Sequence, residues 1–253
     1  MKYTLMILGF PRTGTGSLWK FLSNHSQIAV SKVKEPIWEW DKNPDSYLDF
    51  YDIKGCTKVI ADCTPVLTTK LWKTNYVKNL SKFSFIDRFC CVYTLRDDPF
   101  ARVNSYIDLL IKSFYLKPER RLELGFTRPG FLDENNEFVE KFLFYLCREY
   151  LNEYNVIKKA ESFFKKEHFF ISALCPFEQK RLWQFLNIDE HEFEFLHDKN
   201  GLAFRNTLTY VKYLEKKNQF NKWFDRNMDE FERIKQESCK KIEEEYGFKF
   251  NTK

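Results

Sequence analysis

The stretch Gly9-Phe10-Pro11-Arg12-Thr13-Gly14-Thr15-Gly16-Ser17-Leu18-Trp19 limits what this chain can fold into more than any other. Ahead of it, Tyr3-Thr4-Leu5-Met6-Ile7-Leu8 is a short apolar run of the kind that forms a buried strand. Behind it, Leu18, Trp19, Phe21 and Leu22 recur at helical spacing. Strand, glycine-rich loop and helix together make a phosphate cradle. Gly9, Gly14 and Gly16 let the backbone turn its N–H groups toward an anion, and the helix N-terminus adds partial positive charge. Thr13, Thr15 and Ser17 offer hydroxyls, and Arg12 offers a fixed cation that can fork onto a phosphate or sulfate group. The competing reading is a ligand-free glycine turn, which has no use for the hydroxyls or the arginine.

Further short apolar runs alternate with helical patterns. Strands are expected at Ile28-Ala29-Val30, at Lys58-Val59-Ile60-Ala61-Asp62, at Phe89-Cys90-Cys91-Val92-Tyr93-Thr94-Leu95 and at His168-Phe169-Phe170-Ile171-Ser172. Between them, helices are expected over Leu67 to Leu80, from Pro99 through Ile111, along one long amphipathic stretch from Phe138 to Tyr154, over Pro176 to Leu186, and in the tail, where Met228, Phe231, Ile234, Ser238, Ile242 and Tyr246 share a face. Asn43 to Gly55 reads as a surface helix and turn, and Lys117 to Asn136 as an exposed loop. The alternation implies a three-layer α/β fold, a parallel sheet flanked by helices, whose ligands bind beyond the carboxyl ends of the strands. Gly9, Glu35, Asp62 and Arg96 all fall at such ends.

With 253 residues, 43% of them hydrophobic and 27 of them Phe, the chain suits a single domain spanning 1–253, with an acceptor-side loop region at 112–136 and a helical C-terminal region at 207–253. A net charge of +5 fits anionic ligands but falls short of a nucleic-acid partner. No membrane span or leader is legible, and seven cysteines without paired spacing suit the reduced cytoplasm. The 4 His form no ligand cluster with Cys, so no metal is expected.

The first loop almost fits the phosphate loop of nucleotide kinases, but Thr15 follows Gly14 where that motif places Lys. The Pro-Arg-Thr-Gly-Thr loop resembles instead the 5′-phosphosulfate loop of the sulfotransferases that use 3′-phosphoadenosine 5′-phosphosulfate (PAPS). A second segment, Arg96-Asp97-Asp98-Pro99-Phe100-Ala101-Arg102-Val103-Asn104-Ser105-Tyr106, resembles their 3′-phosphate motif, with one extra aspartate that lengthens the offset of Arg96 from Ser105. Lys34-Glu35-Pro36-Ile37-Trp38 is similar to the segment that carries the catalytic Glu in heparan-type sulfotransferases. Ala61-Asp62-Cys63-Thr64-Pro65 resembles a Glu-Lys-Thr-Pro segment, with Cys63 in place of a substrate-touching Lys. These matches cover residues 3 to 110.

The resemblance implies a sulfotransferase fold related to the P-loop NTPases, and transfer of a sulfuryl group from PAPS to a hydroxyl or amine of a small-molecule or glycan acceptor, leaving the 3′,5′-bisphosphate PAP. It implies Thr13, Gly14, Thr15, Gly16 and Ser17 at the 5′-phosphate, Arg12 beside the bridging oxygen, Arg96 and Ser105 at the 3′-phosphate, and Glu35 as base. Arg102 matches a position that faces the protein, and 199–206 is the candidate for a covering loop. His25 is a rival base, but its place at the end of the first helix suits a cap. Two rival functions stay open. One is a small-molecule kinase with Asp62 on its metal. The other is a non-catalytic module that binds PAP or a sulfated glycan. Neither the acceptor nor the oligomeric state is legible.

Overall fold

Five short segments become the five strands of one sheet: β1 (Lys2–Leu8), β2 (Ile28–Val30), β3 (Val59–Asp62), β4 (Ile86–Leu95) and β5 (Phe169–Ala173). The computed structural model describes residues 2–10, 12–32, 44–63, 86–96, 98–115, 138–173, 178–193 and 207–250. Every strand pairing is parallel, and the order across the sheet is β2-β3-β1-β4-β5. The register sets Met6 beside Asp62 on one flank of β1 and Leu8 beside Tyr93 on the other. Successive residues Leu5, Met6, Ile7 and Leu8 are all buried, so both faces of the central strand are covered. That is why these strands read as continuous apolar runs instead of alternating ones.

The helices are α1 (Thr15–Leu22), α2 (Pro99–Phe114), α3 (Glu140–Leu151), α4 (Glu153–Glu161), α5 (Gln179–Leu186), α6 (Thr207–Arg226) and α7 (Met228–Tyr246). The chain divides into two compact units, Met1–Asp97 with Asn155–Asp198, and Asp98–Tyr154 with Lys199–Lys253. The first holds the sheet. On one face of it Leu5, Ile7, Val59, Ala61, Cys90 and Val92 meet Leu18, Phe21 and Leu22 of α1 and Leu182, Trp183 and Leu186 of α5. Trp183 stacks on Phe21 with ring centroids 5.4 Å apart. The flanked, all-parallel sheet agrees with the α/β fold read from the sequence.

His25 sits where α1 turns toward β2. Its Nδ1 accepts the Gln27 backbone N–H at 3.1 Å, which leaves the proton on Nε2 to donate to the Asp189 carbonyl at 3.0 Å. Gln27 also donates to the Asp189 carboxylate at 2.7 Å. His25 therefore ties a corner together and is sealed from solvent, as a capping role requires and a base does not. Burial pushes its pKa below the ordinary 6.5, outweighing the Asp189 carbonyl, with His191 and Lys58 adding to the depression and the Asp189 carboxylate opposing it. A depressed folded-state value means that the unfolded chain takes up the proton first as pH falls. Stability that is complete above about pH 6.5 is then lost progressively below it. Urea midpoints at pH 7.5 and 5.5 should differ more for the parent than for His25→Gln. Equal pH responses would assign the acid sensitivity to other groups.

The second unit is helical. Val103, Ile107, Leu110 and Ile111 of α2, Leu143 and Cys147 of α3, Phe220 and Phe224 of α6, and Phe231, Ile234, Ser238 and Ile242 of α7 are buried at spacings of three and four. Aromatic rings bind the helices, with Phe224 against Phe231 at 5.0 Å and Phe144 against Phe231 at 5.3 Å. Asp98 starts α2, its carboxylate accepting the Ala101 N–H at 2.9 Å, with Pro99 in the first helical position.

Two sequence expectations change. The single helix over Phe138 to Tyr154 is two helices, because Asn152 leaves the helical region at φ −87°, ψ 52°. The break suits Glu153, which is buried as the partner of Arg102. The helix and turn expected in Asn43 to Gly55 are present in part, but the segment is less superficial than expected. Its helix is a 3-10 helix over Pro44–Phe50, and Tyr47 and Tyr51 within and after it are core residues, 5.0 Å apart. The expected helix at Leu67 to Leu80, the loop from Lys117 to Asn136 and the 199–206 segment lie outside the described residues.

Candidate functional site

The strand order locates a crevice. From β1 the chain moves to β2, on one flank of the sheet, and from β4 it moves to β5, on the other. β1 and β4 are hydrogen-bonded neighbours, so their carboxyl ends frame the point where the chain reverses direction, the usual ligand position in an open parallel sheet. The glycine-rich loop leaves β1 at this point and Arg96 follows β4.

A seam of hydroxyls fixes the loop to the sheet. Thr94 Oγ1 donates to the Leu8 carbonyl at 3.0 Å and lies 2.8 Å from Thr13 Oγ1. With the Thr94 proton on the Leu8 carbonyl, the single Thr13 hydroxyl proton is shared between Thr94 Oγ1 and the Phe10 carbonyl, also 2.8 Å away, and the Thr13 N–H reaches that carbonyl at 3.1 Å. Gly9 lies directly over this seam with φ +142°, and a Cβ there would fall 2.2 Å from Thr94 Oγ1 and 2.8 Å from the Thr94 carbonyl. No side chain fits, so the glycine allows the loop to lie against β4. Thr94 is a site residue that the sequence reading passed over. A threonine near the end of the apolar run 89–95 is its only signal.

Beyond the seam the loop turns outward. Arg12 has φ 75° and is exposed. A left-handed conformation costs a non-glycine residue roughly 1–2 kcal/mol, and such strain concentrates at functional positions. Gly14 takes φ 86° as the residue before α1, with no side chain capping the helix and no acidic residue in its first turn. The first-turn N–H groups of a helix have no intrahelical acceptors, so Thr15, Gly16 and Ser17 begin α1 with donors and partial positive charge at the crevice. The Thr15 and Ser17 side chains are buried and Gly16 is half-buried.

Two further candidates are committed inward. Cys63 is fully buried, and its thiol donates to the Thr15 carbonyl at 2.9 Å, linking the end of β3 to the first turn of α1. Asp62 is buried at the end of β3 and accepts the Tyr51 hydroxyl at 3.3 Å. Arg96 is half-buried just past β4. Glu35 lies outside the described residues.

Ser105 belongs to the second unit. It lines a cavity of about 180 Å³ between α2 and α6, with Asn104, Asp108, Ile111, Lys217, Phe220 and Asn221. Arg102, one turn earlier, is fully buried on Glu153 and the Tyr150 carbonyl. It faces the protein, as the resemblance of that segment implies.

Among the described residues, no three His, Cys, Asp or Glu side chains form a group able to hold a metal ion. None of the described helices is long and apolar enough to cross a membrane. Neither a protein-family model nor a curated protein matches the sequence. Among solved structures the fold is similar to that of a sulfotransferase from Alicyclobacillus acidocaldarius, at a TM-score of 0.52 and 16% identity, over 93% of this chain and 96% of that one. At that identity the likeness speaks for the fold.

Proposed function

We propose that this chain is a sulfotransferase that moves a sulfuryl group from PAPS to a hydroxyl or amine of a small-molecule or glycan acceptor. The observation that carries the reading is the loop at the β1/β4 crevice. There a strained, exposed Arg12 and a left-handed Gly14 precede an uncapped helix N-terminus, within a fold shared with a sulfotransferase. The residues present suit a phosphosulfate. The helix start presents N–H donors, the backbone of Gly9 closes onto β4 without a side chain, and no acidic group stands in the first turn of α1.

PAPS, when bound, supplies the sulfuryl group and a phosphate leaving group. Thr15, Gly16 and Ser17 hold the 5′-phosphate through backbone N–H groups, with Gly14 setting their direction. Thr13 keeps the loop against Thr94 through its inward bonds. Arg12 stabilises charge on the departing phosphate, and Arg96 and Ser105 hold the 3′-phosphate. Glu35 takes the proton from the acceptor as it attacks, a contribution of typically ~10²–10⁴-fold for a positioned general base. Transfers of this kind depend chiefly on positioning and charge stabilisation. The cytoplasm suits such an enzyme, and the six cysteines among the described residues are reduced, none of them in a disulfide.

A kinase would place a metal on the strand-end aspartate. Asp62 is buried and already accepts the Tyr51 hydroxyl, which favours a structural role instead. The test is calorimetric titration with PAP, ATP and adenosine 5′-phosphosulfate, followed by a sulfate-transfer assay over an acceptor panel. PAP should bind more tightly than ATP. Ser105→Ala should weaken PAP by about tenfold, the value of one charge-assisted hydrogen bond, and leave adenosine 5′-phosphosulfate unchanged. Preference for ATP would favour the kinase, and PAP binding without transfer would favour a binding module.

A further inference from the structure

The cavity around Ser105 contains a cation that no part of the sequence motif supplies. Its floor on α2 is Ser105 and Asp108, which lie three residues apart and share a face of that helix. Its opposite wall, on α6, is Lys217 and Asn221, again on one face four residues apart. The Asp108 carboxylate receives Lys217 Nζ at 3.0 Å and Lys112 Nζ at 2.7 Å, and it also accepts the Tyr213 hydroxyl. Lys217 Nζ lies 3.4 Å from the same hydroxyl. One carboxylate thus sits among two ammonium groups, so the cluster carries a net positive charge. Lys217 is held beside Ser105 by neighbours on both α2 and α6. The cavity volume of about 180 Å³ leaves room for an oxyanion with water.

We infer that Lys217, with Asn221, supplies the positive wall of the pocket that receives the 3′-phosphate opposite Ser105, and so determines the preference for a 3′-phosphorylated nucleotide. The inference rests on the proposed PAPS reading and extends it to a helix that carries none of the motifs. Held by Asp108 and Tyr213, the ammonium group loses little further freedom when the phosphate arrives. A phosphate oxygen then accepts from Lys217 Nζ and from the Ser105 hydroxyl, while Lys112 remains on Asp108.

The test compares PAP with adenosine 5′-monophosphate by calorimetry, on the full chain, for the parent, Lys217→Met and Lys217→Arg. Lys217→Met is expected to lose tenfold or more in PAP affinity with its 5′-monophosphate affinity unchanged, and Lys217→Arg to recover most of the loss. A second measurement needs no variant. PAP should shield Lys217 of the parent from amine acetylation, read by mass spectrometry, and the 5′-monophosphate should not. A parent that binds PAP, with full affinity in Lys217→Met or with Lys217 unshielded, overturns the inference and leaves the sulfotransferase reading intact. Equal losses for both nucleotides overturn it in favour of a structural role for the cluster. A parent that binds no PAP removes the functional reading, and the inference with it.

Discussion

Arg12→Ala should abolish most sulfate transfer while leaving PAP bound with measurable affinity. The guanidinium is the fixed cation of the loop, whereas the backbone donors of Gly14 through Ser17 survive the substitution. Removal of one preorganised group that stabilises transition-state charge typically costs ~10²–10³ in kcat, and a loss of that order is expected here. A second comparison isolates the backbone. Arg12→Gly and Arg12→Ala both delete the side chain, but only glycine accepts φ 75° without strain. Arg12→Gly should therefore be the more stable of the two by roughly 1 kcal/mol, seen as a higher unfolding midpoint in urea. Single-turnover transfer beside a PAP titration measures the first effect. Near-normal turnover in Arg12→Ala would remove Arg12 from the chemistry. Glu35→Gln in the same assay separates the base from the clamp, since the amide cannot take a proton.

Arg102→Met should be the most destabilising change in the helical unit. Arg102 is fully buried, its guanidinium is bonded to the Glu153 carboxylate and to the Tyr150 carbonyl, and Glu153 is buried as well. Removing the cation leaves a carboxylate without its partner in a site closed to water. Breaking such a pair costs about 3–5 kcal/mol. The double change Arg102→Met with Glu153→Leu removes both charges and should recover most of the loss, because matched apolar replacements of buried ion pairs are often neutral. Equilibrium urea unfolding of the parent, both single variants and the double variant closes the cycle. Additive losses would show that the two side chains act independently and that packing, not charge, makes them matter.

Local signals in the chain reach as far as elements whose cause is local. β1 is legible because a strand buried on both faces must be apolar throughout, and α1 because Leu18, Phe21 and Leu22 repeat at the helical period. The loop between them is legible because left-handed turns and anion-facing backbone call for glycine. The start of α2 is written in Asp98 and Pro99. Elements set by distant partners were misread or missed. The helix from Phe138 breaks at Asn152, where the next residue, Glu153, pairs with an arginine 51 positions away, and no periodicity announces that. The stretch Asn43 to Gly55 reads as a surface segment, yet Tyr47 and Tyr51 within it are buried in the core. Thr94 became part of the site only through the register that brings β4 beside β1, 81 residues from Thr13. Lys217 meets Asp108 because α6 packs on α2. Periodicity, glycines and caps record what a segment does with its own neighbours. Strand order, buried charge pairs and facing walls of a cavity follow from the packing of segments far apart in the chain, and tertiary structure decides them.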